Sequence, residues 1–352
     1  FKYLWIGYNM AYSTITKPSL HFNTKLYTGN GSTQSITGVG FQPDFTWLKR
    51  RDASAGNKLT NSVRGTGKHL VSNNSNAEYN ENNILTAFGT DGFSVGNSSD
   101  VNNNGNSYVS WSWKGGGSSS SNSDGDVTST VSANQTAGFS IVSVSNLNSN
   151  SFGHGLGAEP EFIINKRTDN TANWRVYFKG ITSGKSLFLN TTAAETTESS
   201  AIASANSSTI TVTGSGNGGS AGSGTSVYFA FKSIQGFSKF GTYKGNGNAY
   251  GTFVYTGFKP AWILMKRTNT TGAWKLFDNK RANPFNVIGV RLEANSSGAE
   301  SSSSTYDIDL VSNGFKLRGT SAEQNGSGNS FIYMAFAENP FVTSTKTAGT
   351  AR

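Results

Sequence analysis

The chain has no cysteine, only six prolines and few charges: Asp, Glu, Lys and Arg make up 14% of its 352 residues. Without cysteine there is no disulfide and no thiol or cysteine–zinc chemistry, so an extracellular protein of this composition is held by packing or by oligomerisation. No apolar run approaches the roughly 20 residues that a membrane-spanning helix needs, and no membrane insertion is expected. The opening Phe1-Lys2-Tyr3-Leu4-Trp5-Ile6-Gly7-Tyr8 is too short for a signal-peptide apolar region with its cleavage site. Either Met10 is the native start, or the first nine residues are an aromatic docking arm. No stretch of ten residues combines helical periodicity with a start cap. The net charge of +9 favours solubility and a mild attraction to anionic surfaces. Its basic residues gather only as short pairs, not as the stripe that nucleic acid requires.

What the sequence does have is glycine (42 residues), abundant Ser, Thr and Asn, and 12% aromatics. Val, Ile, Phe, Tyr, Trp and Thr runs bounded by Gly/Asn/Ser clusters read as short strands joined by turns, and the aromatics can fill compact cores. The strongest signal is repetition. Pro43, Pro160 and Pro260 each introduce a short strand with an aromatic two places on and Lys-Arg six and seven places on: Lys49-Arg50, Lys166-Arg167 and Lys266-Arg267. A second signature follows each time: Leu70, Asn73, Ala77, Glu78; Leu187, Asn190, Ala194, Glu195; Leu292, Asn295, Ala299, Glu300. A closing strand ends each copy, with Val109/Trp111/Trp113, Val227/Phe229/Phe231 and Ile332/Met334/Phe336 alternating onto one apolar face. Its other face, with Ser110, Ser112, Tyr228, Ala230, Tyr333 and Ala335, is small or amphipathic and is taken as an oligomer contact. Three ordered landmarks, three times over, describe a tandem array.

The expected fold is all-β, as three tandem antiparallel β-sandwich modules of jelly-roll or lectin-like type. The boundaries read as a leader at 1–23, module one at 24–116, a Gly/Ser linker at 117–125, module two at 126–234, module three at 235–342 and a tail at 343–352. The linker composition predicts that module one swings freely, whereas the short second junction predicts that modules two and three pack together.

Few residues suggest reactivity. His21, His69 and His154 fall at unrelated places in the repeat, so no shared catalytic triad exists. Glu78, Glu195 and Glu300 supply one carboxylate per module, where a glycosidase needs two. They read first as partners of the strand-end Lys-Arg pairs or as turn acceptors, with sugar or ion binding behind that. Asn73, Asn190 and Asn295 sit in turns, where asparagine bonds its own backbone, and they are also possible glycan or surface contacts. Trp174 and Trp274 read as packing residues, with an exposed sugar-stacking platform as the alternative. Asp124/Asp126 and Asp307/Asp309 have oxygen-rich spacing without a recognisable calcium loop. Gly38-Val39-Gly40 and Gly153 to Gly157 imitate phosphate loops but are followed by no helix, so they read as turns. No cofactor, metal or catalytic residue is assigned. The best candidates for a presented surface are the loop tips near Gly96 to Gly105, Gly214 to Gly224 and Glu323 to Gly328.

Several phrases resemble a repeat-module family found in structural and tail-fibre-like proteins of tailed bacteriophages, often marine ones. They are Gly153-His154-Gly155-Leu156-Gly157, Pro160-Glu161-Phe162-Ile163-Ile164, Asn173-Trp174-Arg175-Val176-Tyr177, Phe253-Val254-Tyr255-Thr256-Gly257-Phe258-Lys259-Pro260 and Ala335-Phe336-Ala337-Glu338-Asn339-Pro340-Phe341. Met10-Ala11-Tyr12-Ser13-Thr14-Ile15 resembles the usual opening of such chains. Module one departs from the pattern, with Asn57-Lys58-Leu59 in place of the tryptophan phrase. The resemblance implies lectin-like sandwiches on a virion surface, a fibre or spike that assembles as a homotrimer, contacts other virion proteins and binds a host envelope glycan without catalysis. The rival expectations are a capsid or tail decoration protein, and a secreted glycan-active enzyme.

Overall fold

The computed structural model describes residues 12–197, 202–213, 224–281 and 285–342. The leader as far as residue 11, the tail at 343–352 and most of the loop Gly214 to Gly224 lie outside the described residues. The fold is all-β, and every pairing between its strands is antiparallel. One strand order recurs. In the first repeat it runs Phe22–Thr28, Ser107–Trp113, Phe45–Arg50, Lys58–Asn61, Lys68–Val71, Tyr79–Asn80. In the third it runs Ser238–Lys244, Ser330–Pro340, Phe258–Arg267, Lys275–Asp278, Val290–Glu293, Ser301–Ser302. The second repeat has Phe139–Ser145, Thr225–Phe231, Phe162–Arg167, Arg175–Phe178, Lys185–Phe188 and Thr196–Thr197 in that order, and two further strands on its edge make eight. The closing strand therefore always lies between an earlier strand of its repeat (Phe22–Thr28, Phe139–Ser145 or Ser238–Lys244) and the strand that follows or carries its proline.

Each large sheet has a three-stranded companion. These are Gln34–Thr37, Gly92–Val95, Leu85–Gly89; then Ser151–Gly153, Thr209–Val212, Ile202–Ala205; then Phe253–Tyr255, Gly314–Leu317, Ile308–Val311. Alternation sends side chains from a large sheet two ways. Leu48, Ile163 and Ile263 point toward the companion sheet and join three separate clusters. The opposite faces of all three large sheets meet in one cluster: Phe45, Trp47, Trp111 and Trp113 from the first repeat, Phe162, Ile164, Phe229 and Phe231 from the second, Trp262, Leu264, Met334 and Phe336 from the third. Ring contacts cross every boundary, with Phe45 4.4 Å from Phe229, Trp113 5.5 Å from Trp262 and Phe231 6.0 Å from Phe336 between centroids.

Two expectations change here. Residues 117–125 carry a strand, Ser120–Asn122, paired to Ser129–Asn134, and Gly116 N donates to Ser132 Oγ at 3.0 Å. The first repeat is packed into the shared core rather than swinging on a linker, because its apolar face has no other cover. The second face of the closing strands is not an oligomer surface either. Ser110, Ser112, Tyr228, Ala230 and Ala335 are fully buried, and Tyr333 nearly so, against their own companion sheets.

Candidate functional site

The repeated residues build the seams between repeats, and they do so cyclically. The Trp174 indole N–H donates to Val71 O of the first repeat at 2.9 Å, and that of Trp274 donates to Phe188 O of the second at 2.8 Å. In the first repeat Asn57 occupies the tryptophan position, and its Nδ2 reaches Glu293 O at 3.4 Å and Ser296 O at 2.9 Å of the third. The missing tryptophan volume is restored one strand over. Trp47 stands where the other repeats have Ile164 and Leu264, and its Nε1 donates to Asn57 Oδ1 at 3.0 Å. Main-chain bonds follow the same circle: Glu78 N to Thr168 O, Glu195 N to Thr268 O and Glu300 N to Arg51 O, at 2.8, 2.8 and 2.7 Å.

Trp174 and Trp274 are 0% and 1% exposed. A sugar cannot stack on either, so the platform alternative is corrected to packing. Asn73, Asn190 and Asn295 are half-buried. Each Oδ1 accepts one main-chain N–H, from Asn57, Trp174 and Trp274 at 2.9, 2.9 and 2.7 Å. Their acceptor is thus committed to fixing the tryptophan segment. Pro43, Pro160 and Pro260 are buried; the first two precede their strands, whereas Pro260 lies inside Phe258–Arg267, at a register shift opposite Ala337.

Lys49, Lys166 and Lys266 are no more than 1% exposed. They continue the core-facing side of their strands and donate to carbonyls, Lys49 to Ala55 O and Ser297 O at 2.8 Å each, and Lys266 to Gly272 O at 2.7 Å and Thr192 O at 3.0 Å. Lys166 uses Arg167 O at 2.6 Å and Asn170 O at 3.5 Å. Burial, reinforced by the neighbouring arginine, pulls these amines down to about 8, 8 and 7.

Other candidates are also absorbed. His69 is buried, stacked on Tyr79 at 5.1 Å, and desolvation with Lys58 and Arg64 nearby lowers it to about 3. His154 Nδ1 accepts Leu156 N at 3.2 Å. The Gly38 and Gly40 amides, both glycines at positive φ, close on the protein's own anion, the Asp91 carboxylate, at 2.9 and 2.7 Å. Asp126 accepts from Ser151 N and Oγ. Asp309 pairs with Arg318 at 3.6 Å. No group of three potential metal ligands occurs among the described residues. The loop tips after Gly96 and at Glu323 are pinned by buried asparagines. Asn102 donates to Gly96 O at 2.8 Å, and Asn325 donates to Asn248 O at 2.8 Å and Gly319 O at 3.0 Å.

Two places differ between repeats and face solvent. The first is the outer face of the third repeat's companion sheet. Strand Phe253–Tyr255 turns Val254 inward and leaves Phe253 47% and Tyr255 55% exposed, with Tyr250 at 79% on the preceding loop. Register places Lys316 beside Phe253 and Asp309 beyond it, while Gly314 and Val311 lie in line with Tyr255. Phe253 leans over Gly314, whose added Cβ would come 3.1 Å from the ring. Phe285 and Val287, 67% and 43% exposed, flank the far edge, where Asn286 bonds both main-chain groups of Leu310 at 3.0 Å. The matching face of the first repeat is polar, with Ser35 bonded to Ser94 at 3.1 Å; that of the second carries Ser151, Thr211 and Ser204. Sequence reading missed this face because Phe-Val-Tyr is equally good core-strand sequence, and only the pairing shows which side is wet.

The second place is the set of repeated glutamates, whose neutralisation is graded. Glu300 meets Arg51 at 2.8 Å and Arg281 at 3.4 Å. Glu78 pairs with Arg64, and with Lys68 at 3.5 Å. The position of Arg64 and Arg281 is Ile181 in the second repeat, and that of Arg51 is Thr268 in the third. Glu195 accordingly has no ion pair among the described residues, and it lines a cleft of about 320 Å³ at the junction of repeats two and three.

No curated protein and no solved structure matches the chain. One family model does, over residues 17–340, a span that takes in all three repeats. The chain therefore belongs to the family described as a domain of unknown function, DUF7483.

Proposed function

We propose that this chain is a non-catalytic, glycan-binding component of a bacteriophage particle, a fibre- or spike-type appendage protein that meets the host envelope. In this reading each large sheet and its companion form a lectin-like β-sandwich. The three sandwiches share one core, so the threefold arrangement that a homotrimer would build between chains is built within one. The observation that carries the binding role is the exposed aromatic face of Phe253, Tyr255 and Tyr250. Pyranose rings present C–H faces that stack on such side chains, and Lys316, Asp309 and Arg318 supply hydrogen bonds beside them. An apolar face that a rigid sheet holds in water, and that the sister repeats lack, marks an interaction site. The sequence resemblance supports the virion setting. The repeated glutamates are engaged at seams or stand singly, which supports binding over hydrolysis.

A glycan array and a host-cell adsorption assay with the purified chain test this. The expected result is saturable binding that F253S and Y255S abolish while the midpoint of thermal unfolding stays unchanged. Retention on particles with no binding to any envelope glycan would replace the proposal with a decoration role.

A further inference from the structure

Three carboxylates occupy equivalent places at the three seams, and two of them seat a guanidinium. Arg51 approaches Glu300 with Nε at 2.8 Å and Nη2 at 2.9 Å, a two-point contact from the adjoining repeat. Arg64 reaches Glu78 from within its own repeat, and its Nη2 also bonds Leu59 O at 3.2 Å; Arg281 does the same with Leu276 O at 2.9 Å. The scaffold around this glutamate thus accepts a planar cation from either side.

The second seam keeps the carboxylate and loses both arginines. Ile181 sends an apolar side chain into the shared core, and Thr268 stops short, its hydroxyl turned to Ser330 O at 3.4 Å. What remains is the cleft. Gly180, Thr182 and Glu195 of the second repeat form one wall, and Thr242, Lys244 and Asn269 are among the residues of the third that form the other. Lys244 is the other charged side chain among the lining residues, and it is engaged with Ser330 Oγ at 2.5 Å. Thr182, Thr242 and Asn269 add polar groups to the rim.

We propose that this cleft binds a guanidinium- or ammonium-bearing ligand, with the Glu195 carboxylate taking the place at the second seam that Glu78 and Glu300 take toward their arginines. A fork of N–H donors meeting a carboxylate is the geometry for which arginine is suited, and the sister seams show the same position closing on one. This inference rests on the seam and is independent of the aromatic face.

The test uses agmatine for the guanidinium and putrescine for the ammonium, titrated into the full chain at low salt with amide chemical shifts as readout. The expected result is saturable shifts at Thr242, Lys244, Thr268 and Asn269 with at least one of the two. In E195Q the affinity falls about tenfold or more, a loss of 1.4 kcal/mol or greater. T268R, which copies Arg51 of the third-to-first seam, blocks the cleft from within and abolishes the shifts while raising thermal stability. E78Q leaves the affinity unchanged, because Glu78 faces another seam. Absence of saturable shifts with both amines, or binding by folded E195Q or T268R equal to wild type, overturns the proposal.

Discussion

Replacing Trp174 with alanine separates the seam from a surface platform more sharply than any other change. The side chain is fully buried in the cluster that all three repeats share, so truncation removes its transfer free energy and leaves a void, together about 3–5 kcal/mol. It also removes the indole hydrogen bond to Val71 O, which keeps the Asn74 N–H at 3.3 Å, at a cost of about 1 kcal/mol. W174F keeps most of the ring and should lose chiefly the second part. Unfolding entropy of about 2.1 cal/mol/K per residue gives about 0.7 kcal/mol/K for 352 residues, so the combined loss of about 4–6 kcal/mol corresponds to a fall of about 5–8 °C. Calorimetry and urea unfolding followed by both circular dichroism and tryptophan fluorescence would measure it. Because the cluster joins the repeats, the probes should move together in one transition. A midpoint lowered by less than about 1 °C, the size of an ordinary surface change, would refute the buried seam. A second transition that ignores the substitution would refute the shared core.

Three further outcomes follow from the geometry. Lys49, Lys166 and Lys266 have folded-state values near 8, 8 and 7 against 10.5 when free; between those limits the unfolded chain holds more protons, so stability should rise from pH 7 to 10 in thermal scans, and K266M should flatten that slope. His69, lowered from 6.5 to about 3, works in the acid range: the unfolded chain again binds more protons, stability is lost as pH falls from 6.5 toward 3, and H69F should reduce that loss in urea titrations at pH 4. N295A removes the acceptor of Trp274 N and should cost about 1 kcal/mol by denaturant midpoint, with the matching change N190A costing about the same.

The repeat itself was legible because strand alternation and fixed spacing survive divergence: Pro43, Pro160 and Pro260 and the Leu-Asn-Glu phrase mark equivalent strands. Its closure was not. Trp111 and Trp113 read as core, but sequence cannot say whose core, and the answer includes Trp262 and Phe336 of another repeat. Gly115-Gly116-Gly117 has linker composition, yet the glycines serve close approach; a Cβ on Gly116 would lie 2.5 Å from Ala133 O. The first repeat departs from the tryptophan phrase at Asn57-Lys58-Leu59, and only the structure shows that Trp47 and Asn57 exchange volume and hydrogen bond between neighbouring positions. Glu195 reads as identical to its sisters because its difference lies in other residues, Ile181 of its own repeat and Thr268 of the next.

Closing the circle inside one polypeptide frees each sector from copying the others. In an assembly of identical chains, a tyrosine placed on one lobe would appear on all three, and a missing arginine would weaken every joint together. Here, among the described residues, a single lobe wears exposed aromatic side chains and a single joint gives up its counter-ion, while the remaining two keep the ring shut.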